Sequence, residues 1–344
     1  MKHVSRRVFL RLSAALGAGA LAGGCSRPPE PTPPSTEPPP TEPSATQMPA
    51  PTAVAPTTAP EPTAAPPTIT PAPTAAPAYL AVARGADPAA ITERAIAALG
   101  GIERFCRPGA NVIIKPNICN ASHTFEYAST TNPVVVATLV RLCLGAGAGR
   151  VRVMDAPFSG TPQAAYARSG IEEAVLAAGG EMELMAQMGY AEVDIPAGRD
   201  LARWRFYQPI LEADLLINVP IAKHHNLARL TLGGKNLMGA IADRGQMHRN
   251  LHQRIADIAT VLRPALTVVD CVRILHRNGP TGGRLEDVEE TNAVIASADL
   301  VAADAYACSL FGVAPEEIGY IAAGAEMGLG TMDLGGVRVE ELHV

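Results

Sequence analysis

Aromatic residues make up only 4% of the 344 residues, with a single tryptophan, and 28 Lys and Arg are outnumbered by 33 Asp and Glu. Nucleic-acid binding calls for a basic face and stacking side chains, so both shortages oppose it. The five cysteines after the first 25 residues, Cys106, Cys119, Cys143, Cys271 and Cys308, show no C-x-x-C spacing. That excludes an iron–sulfur ferredoxin module in this chain. No nucleophile elbow, Walker sequence, kinase signature or internal repeat occurs either. Gly145-Ala146-Gly147-Ala148-Gly149 follows a helical pattern and precedes a strand-like one, the reverse of a dinucleotide-binding turn, and reads as a helix stop.

Proline, by contrast, is concentrated. Residues 26–78 hold 19 of the 31 prolines, mixed with threonine and alanine, and contain almost nothing that could build a core. This composition predicts a disordered, partly polyproline II stalk. At about 3.1 Å per residue it would reach roughly 160 Å if fully extended. Before it, Ser5-Arg6-Arg7-Val8-Phe9-Leu10-Arg11 resembles a twin-arginine export signal, and Leu12 to Gly24 is too short for a stable membrane span. Leu21-Ala22-Gly23-Gly24-Cys25 resembles a lipoprotein cleavage box, with Leu21 one position too far from the cysteine. The resemblance implies export, lipidation of Cys25 and attachment to the outer face of the cell membrane; plain secretion with a free Cys25 is the alternative. Twin-arginine export carries folded proteins, which implies a cofactor acquired before crossing or simply rapid folding.

The 266 residues from Tyr79 to Val344 suffice for one large domain or two tightly joined lobes. They contain no run long and apolar enough to cross a membrane. Strand-like segments at 80–83, 111–114, 150–154, 215–219, 265–269 and 293–296 alternate with helical ones at 89–99, 133–144, 170–178, 251–262 and 300–310. This alternation predicts an α/β fold with a mainly parallel or mixed sheet flanked by helices.

Polar chemistry concentrates between Asp214 and Ile258. That stretch carries Lys223, Lys235, Arg229, Arg244 and four of the seven histidines beyond the leader, His224, His225, His248 and His252. Leu215 to Val219 reads as a buried strand stopped by Pro220, so Lys223, His224 and His225 should follow a strand end, where open α/β sheets bind ligands. Gly233-Gly234-Lys235-Asn236 places a cation beside a flexible backbone near a helix start, a setting suited to anions. Lys115, Asn117, Asp155 and Asp270 stand at other expected strand ends. Converging, these would line one crevice with Lys223, His225 and Lys235; as isolated residues, some would be caps or structural ion pairs.

His248 and His252 are four apart and would share a helix edge if the helix included both. One cap and one packed edge residue is the ordinary reading, and metal ligation would need further ligands. The cysteines read as buried thiols, with Cys119 open to a ligand or reactive role beside nearby cations. The turn from His276 to Arg284 is either a surface loop or a site wall. Asp304 lies in an alanine-rich helix and needs a partner if it points inward.

The ordered set VPIAKHH, GGKNLMG and His248, with Ile114-Lys115-Pro116-Asn117, Val268-Val269-Asp270, Gly279-Pro280 and Asp304, resembles the domain-of-unknown-function family numbered 362. The resemblance spans nearly all of the chain after Tyr79. It implies His225 rather than His224 as the inward histidine and Gly279 as a wall residue, and it carries no established reaction.

Two functions follow. In the first, Lys223, His225 and Asp270 are catalytic, Lys115, Asn117, Lys235, Asn236 and Gly279 bind a small anionic substrate or cofactor, and His225 with His248 holds a metal or moves protons in redox or isomerase-type chemistry. In the second, a lipoprotein binds a small anionic ligand for a membrane partner without turnover. The folded part carries 23 Lys and Arg against 29 Asp and Glu, so a local basic pocket on an acidic surface suits an anion in either case.

Overall fold

The computed structural model describes residues 79–344. The leader, Cys25 and the Pro-rich segment lie outside the described residues. Twelve strands are present among them: β1 (Leu80–Arg84), β2 (Asn111–Pro116), β3 (Arg150–Val153), β4 (Glu181–Met182), β5 (Tyr190–Asp194), β6 (Arg203–Tyr207), β7 (Leu215–Val219), β8 (Ile221–His225), β9 (Arg229–Thr231), β10 (Leu266–Leu275), β11 (Val288–Ser297) and β12 (Val339–His343). The α-helices are α1 (Pro88–Ala98), α2 (Pro133–Gly145), α3 (Pro162–Ser169), α4 (Ile171–Ala177), α5 (Gln208–Leu211), α6 (Gly233–Asn236), α7 (Leu251–Leu262), α8 (Leu300–Cys308) and α9 (Gly319–Glu326).

The main sheet runs β12-β1-β11-β10-β7-β2-β3-β4, with β8 branching from β10 and β9 from β8. The pairs from β10 through β7, β2 and β3 to β4 are parallel, whereas β11 is antiparallel to both neighbours. This is the expected α/β fold with a mixed, mostly parallel sheet. Period-two alternation divides its side chains between two cores. Val112, Ile114, Ile217 and Val268 pack with α1, α2 and α4 on one face; Ile113, Leu216, Val269 and Ile295 pack with α7, α8 and α9 on the other. Each fully buried aliphatic side chain contributes about 1.5–3 kcal/mol. The helices start where the sequence offers caps: Asp87 and Asn132 accept from Ala89 N and Val134 N, each followed by a first-turn proline.

Chain order places the crevice. From β2 the chain crosses through α2 to β3 on one side and later returns as β7 on the other, with Lys115 in register with Asn218. The carboxyl ends of β2 and β7 are therefore a switch point, the place where such sheets open a cleft.

Three local expectations are corrected. The strand expected to stop at Val269 continues through Asp270 to Leu275, because its apolar residues go on pairing with β11 across a bulge. Pro220 does not end extended structure: β8 begins at Ile221, so Lys223 and His225 sit on a strand and share one face. Helix α7 begins at Leu251, which leaves His248 in the preceding 3-10 turn and separates it from His252.

Candidate functional site

A cavity of about 730 Å³ lies beyond the ends of β2 and β3 and is closed by β8 and the α6 turn. Asn117, Cys119, Asp155, Lys223, His225, Lys235, Asn236, Arg244 and His248 are among its lining residues. Most of its polar wall is fixed by internal hydrogen bonds. Lys115, fully buried, donates to Asp155 Oδ1 at 2.7 Å, to Pro116 O and to Asn236 Oδ1. Asp155 Oδ2 accepts the Ile118 amide. Asn236 in turn donates to Asn218 Oδ1 and Lys115 O, and Asn117 donates to Asn236 Oδ1. Glycine is required where the chain closes over this pair: a Cβ on Gly239 would stand 2.6 Å from Lys115 Nζ and collide with Asp155.

Lys223, 1% exposed, donates to Asn117 Oδ1 at 2.8 Å and Ser129 O at 2.6 Å, with the Cys119 thiol beside it. Among the described residues no carboxylate pairs with it, and burial lowers its pKa. Lys235 differs from both. Among the described residues its ammonium makes no hydrogen bond and no ion pair, although the residue is half-buried and lines the cavity. Burial first, then the charges of Lys223 and Arg244, push it down to about 8. Arg244 spends its guanidinium on two carbonyls, Ala156 O and Pro157 O, and has no carboxylate partner among the described residues.

His225 faces the cavity with its tautomer fixed. Nδ1 accepts the Leu227 and Ala228 amides, so the ring proton sits on Nε2. Burial, with Lys235 and Lys223 nearby, pushes its pKa down to about 3, and the ring stays neutral. It can donate a hydrogen bond, but it cannot become a cationic acid without losing two backbone contacts. His224, on the opposite face of β8, accepts the Gly279 amide; a Cβ on Gly279 would overlap the His224 carbonyl. The Gly279–Pro280 peptide is cis, and Pro280 rather than Gly279 touches the cavity.

Asp270 does not join the crevice. It is buried within β10, its Oδ2 accepting the Asn132 amide at 2.6 Å and its Oδ1 the Val272 amide, and desolvation raises it to about 6. Its place is structural, locking the start of α2 to the sheet. The Gly233 and Gly234 amides are likewise unavailable for an anion: Asp304 accepts both, at 2.6 and 2.8 Å. The anion-friendly feature of that turn is the Lys235 side chain alone. Arg229 lies outside, paired with Glu317.

His248 is exposed at the cavity mouth, with Nδ1 3.1 Å from Gly245 O. His252 stacks on Tyr320 away from the cavity. No group of three His, Cys, Asp or Glu among the described residues is arranged to hold a metal ion, so no step is assigned to one. All five cysteines of the described residues are free and buried, and only Cys119 lines the cavity.

Fold and cavity together define an α/β sandwich with a cation-rich crevice at its strand ends. Residues 112–309, more than half of the chain, match the family described as domain of unknown function DUF362, and the chain belongs to that family. It is similar to the thylakoid-associated protein sll1697 of Synechocystis sp., at 26% identity over 246 residues, 67% of this chain and 72% of that protein. Among solved structures it resembles the lactate racemase apoprotein of Thermoanaerobacterium thermosaccharolyticum, at 12% identity and a TM-score of 0.43. A structural-genomics crystal structure of a Thermotoga maritima protein gives 12% and 0.41. Each alignment covers 67% of this chain but only 56% and 60% of the respective structures, and no functional residue is carried over from them.

Proposed function

We propose that this protein binds a small anionic molecule in the cavity and performs proton-transfer chemistry on it, as an isomerase-type or redox enzyme. The observation that carries the reading is Lys235, a half-buried cation whose ammonium has no partner among the described residues. A buried charge is costly unless paired. Among the described residues Lys223 and Arg244 also lack carboxylate partners, while Asp155 is committed to Lys115 and Asp243 stands 3.6 Å from Arg205. An anionic ligand would supply the missing counter-charge. Lys235, near 8, can give and take a proton at neutral pH, and neutral His225 offers Nε2–H to a carbonyl or oxyanion.

Titration calorimetry of the full chain with small carboxylates and phosphate tests the binding. Lys235→Met is expected to weaken it by about ten-fold or more, the equivalent of ~1.4 kcal/mol, and added salt should weaken the wild type. Equal affinity in both proteins would sink the reading.

Capture without turnover is the second reading, supported by the 53-residue Pro-rich segment that would give reach from a membrane. Recovery of the bound ligand unchanged after long incubation would favour it over catalysis. On the leader sequence we further propose export by the twin-arginine route and anchoring through lipidated Cys25.

A further inference from the structure

Among the described residues lysine is used in only one place. Residues 79–344 hold twenty arginines and three lysines, Lys115, Lys223 and Lys235. Lys223 and Lys235 line the cavity, and Lys115 lies directly behind its wall, bonded to the lining residues Asp155 and Asn236. Every other cation of the described residues is arginine, including those in surface ion pairs such as Arg150 with Glu181 and Arg273 with Glu290. The two residue types differ chemically: a guanidinium stays charged at any ordinary pH, whereas an ammonium can lose its proton and become a nucleophile.

The three lysines are not equivalent. Lys115 has three acceptors, Asp155 Oδ1, Pro116 O and Asn236 Oδ1. Lys223 has two, Asn117 Oδ1 and Ser129 O, and lies beside Cys119. Their nitrogens are held by the wall and serve as fixed donors. Lys235 alone has no acceptor among the described residues, and its nitrogen is open to whatever enters. The Asn236 network anchors the residue next to it, so the base of the side chain is fixed while its end is free.

We propose that Lys235 is a nucleophilic lysine that forms an imine with a ligand carrying both an aldehyde or ketone and an anionic group, the anion being held by Lys223 and Arg244. This rests on the reading of the cavity as an anion site and names the ligand class within it. In the step, the neutral amine of Lys235 donates its lone pair to the carbonyl carbon. A C–N bond forms, the carbonyl π pair moves to oxygen, and the proton released from nitrogen passes to that oxygen. In the resulting carbinolamine the nitrogen lone pair closes the C=N bond as the hydroxyl leaves, and the remaining N–H proton passes to that hydroxyl to make water. One water leaves, and nothing is oxidised or reduced. Neutral His225 assists by hydrogen-bonding the carbonyl oxygen from Nε2 and keeps its own proton. Free amine is available because burial, Lys223 and Arg244 lower Lys235 to about 8.

Scarcity of lysine makes the test clean. The full chain is incubated with glyoxylate and sodium cyanoborohydride, which reduces an imine to a stable carboxymethyl-lysine, and modified positions are mapped by peptide mass spectrometry. Lys235 should be labelled at least about ten-fold more than Lys2, Lys115 or Lys223. Propionaldehyde, which lacks the anion, should label it far less. The labelling rate should climb with pH and level off above about 8, in line with the lowered pKa of this amine. Lys235→Arg, which cannot form the imine, should lose the label, and the wild type should bind oxalate by calorimetry. Oxalate binding to the wild type without label on Lys235 would overturn the imine and leave the anion site standing. Labelling spread evenly over the lysines, or equal for the neutral aldehyde, would also overturn it. Absence of both oxalate binding and label would overturn the two readings together.

Discussion

Asp155→Ala is expected to lower the unfolding free energy by roughly 3–5 kcal/mol and to abolish anion binding, because it strands a buried ammonium. Lys115 is 0% exposed and Asp155 3%, and the 2.7 Å contact between them is the only ion pair available to that lysine among the described residues. Asp155 also holds the Ile118 amide, so its loss frees the segment that carries Asn117 and Cys119 into the cavity wall. Urea unfolding followed by circular dichroism measures the cost. The double variant Lys115→Met, Asp155→Leu removes both charges and should recover much of the stability, since a buried pair is often replaceable by apolar residues of similar size. It should not recover binding, because Asn236 loses its contact with Lys115 Nζ. A single Asp155→Ala variant within about 1 kcal/mol of wild type would show that water or a moved side chain satisfies Lys115.

Asp304→Ala carries the second large effect. Its carboxylate, on α8, is the acceptor for the Gly233 and Gly234 amides, and both glycines are buried. Leaving buried donors unpaired costs about 1–3 kcal/mol each, so a loss of roughly 2–5 kcal/mol is expected. The same turn carries Lys235 and Asn236, and ligand affinity should fall with it. Asp304→Asn keeps one acceptor oxygen and should cost less. The comparison has a pH signature. Burial raises Asp304 to about 7, above its ordinary value of 3.8, so across that interval the folded protein holds this proton more tightly than the unfolded chain does. Stability contributed by the group is therefore full below about pH 4 and declines as pH rises toward 7. The margin of wild type over Asp304→Asn should shrink over that interval in parallel urea titrations; a margin that widens would contradict the assignment.

Much of this architecture was legible in the order of apolar segments. Strand-like and helical runs alternate, and the sheet that results is the mixed, mostly parallel one the alternation implies. The strand end before Asp155 could be read because a short apolar run stops there; Lys115, expected past a strand end, lies within β2, which runs on to Pro116. Asp270 could not be placed correctly, since its fate is set by the Asn132 amide, 138 residues away in the chain, and by pairing of β10 beyond Val269. The Gly233-Gly234 turn shows the same limit. Its open backbone looks suited to an anion, yet a carboxylate from α8, 71 residues on, occupies it. Local pattern reports which segments are extended or helical; it does not report which buried polar group meets which.

Two features of the site escaped for different reasons. Arg244 was visible only as one cation among several, because its role depends on the Ala156 and Pro157 carbonyls that hold it at the cavity edge. The special position of lysine was present in the sequence all along. Twenty arginines against three lysines in residues 79–344 is a compositional choice, and there lysine appears only around the cavity.

That scarcity also gives the central claim its most direct measurement. Lysine labelled with carbon-13 at Cε yields four side-chain signals from the full chain, and the Lys235 signal is identified by its loss in Lys235→Arg. The account predicts that this signal titrates near pH 8 without ligand and shifts to higher pH when oxalate or phosphate is added, as an anion stabilises the ammonium. A Lys235 signal titrating near the ordinary 10.5 and indifferent to both anions would contradict it.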